Sequence, residues 1–193
     1  MTNENWYQYM EQKMATTSVQ NYNSVSMALH WLSALVIIGM FAVGLWMVDL
    51  TYYSEWYKTA PHWHKSVGIL LAVVTVFRLI WKQMTPTPNA EGSPIEKIGA
   101  KVGHLMMYIA LFVIFISGYL ISTSDGRGID VFEWFTVPAL GELFANQSDI
   151  AGEVHFYAAW FVILAAAGHA LAALKHHFIN KDNTLRKMLG VSK

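Results

Sequence analysis

Eight histidines stand in a chain of 193 residues that contains no cysteine. Imidazole binds transition metals as a neutral ligand. Thiolate chemistry, by contrast, is closed to this chain, so disulfides, thiolate zinc fingers, iron–sulfur clusters and CxxCH haem attachment are all excluded. Five of the histidines, His30, His64, His104, His155 and His169, fall inside long apolar runs. An ionisable side chain in a bilayer is costly and usually faces the bundle interior, so five of them require a reason. His155 and His169 are separated by fourteen residues, a rotation about 40° short of four full turns, so they share nearly one helix face and lie about 21 Å apart along it. One helix thus presents imidazoles at two depths. His64 matches the depth of His155, and both His30 and His104 match that of His169.

Two opposed imidazoles between facing helices are what a b-type haem needs at its axial positions, together with small residues that let the porphyrin approach. Gly68 lies one turn beyond His64, and Ala165, Ala166, Ala167 and Gly168 precede His169. A lone membrane histidine is more often a packing or hydrogen-bonding residue, and small residues also serve tight helix packing. Five histidines at paired depths are explained more simply by two bis-histidine sites stacked across the membrane. Structural zinc fits less well, because it wants four ligands converging at one level and each depth provides two or three. Arg78 follows His64 by the same fourteen residues and emerges on nearly the same face at the inner depth. It is either a membrane anchor or a guanidinium partner for a haem propionate or a quinone. His62 stands at the very start of its span as an interfacial residue, and His176 and His177 sit where headgroup contact is the default.

The elements that position these residues are legible from composition. Apolar residues make up 54% of the chain and charged residues 13%, about half the ~25% of a soluble domain. Formal net charge is zero, which excludes a basic nucleic-acid binder. Met27–Val48, Val102–Ser124 and Val154–Leu174 carry no charge, and Pro61–Trp81 carries only Lys65 and Arg78, near its ends. Each is long enough to cross a hydrocarbon core, which takes about 20 helical residues. The expected fold is all-α: an integral membrane four-helix bundle at residues 24–180, with helices near 26–49, 61–83, 99–123 and 152–178, holding two b haems. Residues 1–23 form a polar N-terminal tail and 181–193 a C-terminal one.

A polar segment with Glu4 and Glu11 precedes the first span, so that span is not read as a removable signal. Ten of the thirteen Lys and Arg flank one side, which places both termini and the 84–98 loop in the cytoplasm by the positive-inside rule. Only Lys58, Lys65 and Arg127 fall on the other side, against eight carboxylates, for a formal charge of −5. Prolines 86, 88 and 94 mark the 84–98 connection as irregular. Phe132, Trp134, Phe135 and Phe144 suit the 125–152 loop to the membrane interface, where a short helix covering the bundle is expected.

The run ALKHHFINKDNTLRKML from Ala173 to Leu189, with LHWLSAL around His30, HKSVGILL from His64, FRLIWK around Arg78, GHLMMYIALF around His104, ISGYLIS from Ile116 and the VFEWFTVP stretch, resembles the bacterial cytochrome b561 family. The resemblance covers about residues 24–190. It implies a multi-pass protein of the bacterial inner membrane with two b haems, and it implies axial pairs of His30 with His169 and of His64 with His155. Depth alone does not separate His30 from His104; on the resemblance, His104 is a non-ligand beside the inner haem or a quinone. It also implies passage of electrons from a periplasmic donor, such as a donor protein, to ubiquinone. A superoxide:ubiquinone oxidoreductase and a haem-bearing anchor for a separate dehydrogenase are the alternatives. An anionic substrate is steered by positive potential, so the acidic outer side weighs against superoxide. Transport of a small molecule or metal would require a protein without haem.

Overall fold

The computed structural model describes Trp6 and residues 20–191; the rest of the 1–23 segment and the last two residues lie outside the described part. Four helices long and apolar enough to cross a membrane dominate it. The first, α1 (Ser24–Val48), is started by Asn23, whose side chain accepts from the Ser26 amide at 2.7 Å. Next comes α2 (Trp56–Met84), which begins ahead of residue 61. Pro61 is its sixth residue, so the helix gives up the bond an amide there would make to the Tyr57 carbonyl and tolerates the ring one turn from its start. Ser93 and Glu96 form a reciprocal capping box at the head of α3 (Pro94–Thr123), with Pro94 at its first position. The last span is α4 (Gln147–Lys175); it runs into a π-type turn at His176–Asn180, and a short α5 (Thr184–Leu189) follows.

The long connection before α4 is not a short helix. It folds as an antiparallel hairpin of β1 (Ile129–Val131) and β2 (Phe135–Val137), in register Ile129 to Val137 and Val131 to Phe135. Alternation explains the correction: Ile129 and Val131 point inward and are buried while Asp130 between them is exposed. The turn places Phe132 and Glu133 at φ 47° and 62°, and the Trp134 amide closes it on the Val131 carbonyl at 2.9 Å. Positive φ at two successive non-glycine residues is strained. The hairpin is held in place by Ser66 of α2, whose hydroxyl donates to the Asp130 carbonyl at 3.2 Å and accepts from the Phe132 amide at 3.2 Å.

The helices pack as two antiparallel pairs, α1 with α2 and α3 with α4, and α1 touches α4 only lightly. What is buried is small: Ala60, Ala110, Ala151, Ser33, Ser66, Ser117 and Thr123, with Leu71, Leu111 and Val162 among the few larger residues. Leu35, Val73, Leu105 and Leu164 face outward. That inversion is the expected one in lipid, where small residues bring helices together and large apolar ones meet the acyl chains. Buried hydroxyls return to their own helices, as with Thr75 to the Leu71 carbonyl at 2.7 Å and Thr123 to that of Tyr119 at 2.9 Å.

Candidate haem sites between the helix pairs

The seam between the helix pairs is filled by imidazoles. On the side of the chain termini, His30 of α1 faces His169 of α4 with ring centres 6.2 Å apart and planes at 67°. On the hairpin side, His64 of α2 faces His155 of α4 at 6.3 Å and 66°. A metal–imidazole bond is about 2 Å long and a ring centre lies about 1 Å behind its nitrogen, so two imidazoles bound to one metal from opposite sides have centres about 6 Å apart. Both pairs meet that separation, and each ring plane is free to turn about the axis. His104 of α3 also approaches His169, but at 4.9 Å, too close for a metal between them. Its Nδ1 lies 2.7 Å from the Ala100 carbonyl, a bond within its own helix. The four paired histidines therefore fit two six-coordinate haems, and among the described residues no cluster of three or more His, Asp or Glu converges on a single metal position.

The surroundings of the two pairs differ. His155 Nδ1 lies 3.0 Å from the Ile114 carbonyl and 3.2 Å from the Ser117 hydroxyl. His64 Nδ1 is buried and finds no partner among the described residues. A small cavity of about 210 Å³ flanks His64 in the groove between α1 and α2, walled by Trp46, Trp56 and Trp63. On the terminal side, Arg78 Nη2 lies 2.6 Å from His30 Nδ1, and its guanidinium carbon is 5.9 Å from the centre of the Tyr108 ring. Arg78 forms no ion pair among the described residues. An imidazole that binds metal through Nε2 carries its proton on Nδ1 and cannot also accept from a guanidinium. Ligation of His30 through Nε2 would thus free Arg78 for another, anionic partner.

The remaining histidines take other places. The His62 ring packs on Phe132 of the hairpin at 6.2 Å. His176 Nδ1 meets the Asp182 carboxylate and lies 3.2 Å from the Asn180 amide nitrogen, and His177 Nδ1 is buried without a partner among the described residues. Of the small residues flagged by sequence, Gly168 faces open space and Gly68 only meets Met40 at ordinary contact distance. Gly44 and Gly118, which the sequence did not single out, are the glycines that abut ligand-candidate rings: an added Cβ would lie 3.3 Å from His64 Cε1 and 3.1 Å from His155 Cε1.

Comparison with known proteins agrees with this architecture. The family model described as prokaryotic cytochrome b561 matches residues 21–191. The chain is 50% identical over 179 residues to cytochrome b561 homolog 2 of Escherichia coli (strain K12), covering 92% of this chain and 95% of that protein. It is 30% identical over 173 residues to the probable superoxide oxidase CybB of Yersinia pestis, covering 88% and 96%. With cytochrome b561 homolog 1 of Escherichia coli (strain K12) the identity is 25% over 173 residues, covering 89% and 98%.

Proposed function

The chain belongs to the prokaryotic cytochrome b561 family, a family of membrane electron-transfer proteins with b-type haem, and from that premise we propose that it carries two haems and passes electrons from a periplasmic donor to ubiquinone. The observation that carries the proposal is the matched separation of the two histidine pairs, 6.2 Å and 6.3 Å, on opposite halves of one bundle. His30 and His169 would hold one haem, and His64 and His155 the other. Bound haem supplies one-electron redox chemistry at its iron. The protein's part is to fix the rings, exclude water and set the spacing. α4 contributes one ligand to each site, so a single rigid helix sets the distance between them. The exposed apolar faces of all four helices keep lipid, not water, around the seam.

Each end then has its own task. The basic end, with most of the lysines and arginines, is the cytoplasmic one by the positive-inside rule. Arg78, freed from His30 by ligation, would meet a haem propionate or a quinone there, and His104 would stand beside the same haem or quinone. The hairpin end is periplasmic and acidic, with eight carboxylates against three cations. A positively charged donor protein is attracted to such a face and an anion is not. A superoxide:ubiquinone oxidoreductase is the second reading, favoured by the similarity to the probable superoxide oxidase CybB, and a haem-bearing anchor subunit is the third.

The test is composition and spectrum. A pyridine haemochrome assay on the purified protein should return two b haems per chain, and reduced-minus-oxidised spectra should show both as low-spin. A ratio near one or zero overturns the ligand scheme.

A further inference from the structure

Most glycines within the four long helices would accept a Cβ into open space or ordinary contact, as Gly39, Gly68, Gly99, Gly103 and Gly168 show. Gly44 and Gly118 would not. They stand on different helices, α1 and α3, and each abuts one ring of the hairpin-side pair, His64 and His155 respectively. A helical Cβ tilts toward the N-terminus and covers the preceding turn, where the carbonyl four residues earlier lies. Leaving it out opens a notch through which a neighbouring side chain reaches that carbonyl. At Gly118 the notch is in use. The carbonyl four residues earlier is that of Ile114, and His155 Nδ1 lies 3.0 Å from it, with Ser117 Oγ at 3.2 Å. At Gly44 the notch is present, and the ring beside it, His64, has a buried Nδ1 with no partner among the described residues. The residue four before Gly44 is Met40.

We propose that Gly44 and Gly118 are positioning residues for the hairpin-side haem, each letting an axial histidine give its Nδ1–H to a main-chain carbonyl, that of Met40 for His64 and that of Ile114 for His155. The inference rests on the haem reading above and deepens it. A ring held in this way is fixed as the tautomer whose Nε2 lone pair faces the metal, and its basicity is raised. The acceptor is backbone, so its position is set by the helix and not by a rotamer. A methyl at either notch pushes the ring off its carbonyl. The ligand then becomes a weaker donor and the iron easier to reduce. The His30 and His169 pair has no such notch, so the effect is confined to one haem.

The test is a spectroelectrochemical titration with low-temperature EPR on the full-length protein in detergent, comparing the parent with Gly44→Ala, Gly118→Ala and, as a control for α1 itself, Gly39→Ala. The hairpin-side signal is identified as the one lost in His64→Ala. Both notch variants should raise the midpoint potential of that haem, alter its low-spin signal or lose it, while the other haem and the Gly39→Ala protein match the parent. Ser117→Ala, which removes the hydroxyl beside His155 without adding volume, should move the same signal, and it serves if Gly118→Ala fails to accumulate. A dihaem parent whose notch variants keep both potentials and both signals overturns this inference alone. A parent without haem overturns the reading beneath it.

Discussion

At the scale of single residues, the sharpest question is which imidazole on the terminal side serves as the partner of His169. His30 stands at the separation a bridging metal requires and His104 stands more than an ångström nearer. His30→Ala should therefore leave His169 alone on its iron, making that haem high-spin or lost while the His64 and His155 haem persists. His104→Ala should keep two low-spin haems and at most shift the potential of one. Optical and EPR spectra of the two variants decide it, and haem loss in His104→Ala with both haems retained in His30→Ala reverses the assignment. The histidines were legible in the sequence because an ionisable group in lipid is expensive and the α-helical repeat converts spacing into depth. Gly44 and Gly118 were not. Small residues are common in membrane helices for ordinary packing, and only the ring that reaches across from another helix distinguishes these two. The contact between Arg78 and His30 was hidden for the same reason: fourteen residues of spacing placed Arg78 at the right depth, and no periodicity says which neighbour it meets.

Among the elements, the segment after α4 does more than end the chain. Lys187 of α5 pairs with Glu91 of the preceding loop at 2.5 Å and donates to the Asn89 carbonyl at 2.9 Å. The Asn183 amide donates to Glu91 at 3.0 Å, and Lys175 meets Glu96 of the capping box at 2.6 Å. On its other side α5 receives the Trp31 indole N–H on the Met188 carbonyl at 3.1 Å, one residue from His30. This clasp ties the 85–93 loop to the start of α1. The Lys187 ammonium, hydrogen-bonded to Glu91, holds that carboxyl below its usual range. A group so depressed adds stability above about pH 4 and gives it up as acid protonates it. Glu91→Gln should thus melt below the parent at pH 7, by about 1 kcal/mol for this half-buried surface pair, and the gap should close below about pH 4. Thermal unfolding across that range checks it; a gap that persists in acid assigns the stability to something other than the charge. The four spans were evident from hydropathy alone. The hairpin was not, because its strands are only three residues long and its aromatic residues suit an interfacial helix as well as a sheet.

For the whole molecule, charge asymmetry predicts the orientation. A reporter fused after Lys193 should read as cytoplasmic, and a periplasmic signal there would invert the assignment of donor and acceptor ends. On the proposed orientation the donor would meet the hairpin end, and the way that end is fastened bears on how it changes. Ser66 grips the hairpin only through main-chain groups, the Asp130 carbonyl and the Phe132 amide. Every amino acid except proline carries both groups, so the latch is indifferent to which side chains the hairpin displays. An exposed side chain such as that of Trp134 can therefore change without disturbing Ser66, two residues from His64, while the buried Ile129 and Val131 keep the hairpin seated. The outward face of the hairpin is in this sense a cartridge on a fixed mount, open to change one exposed substitution at a time.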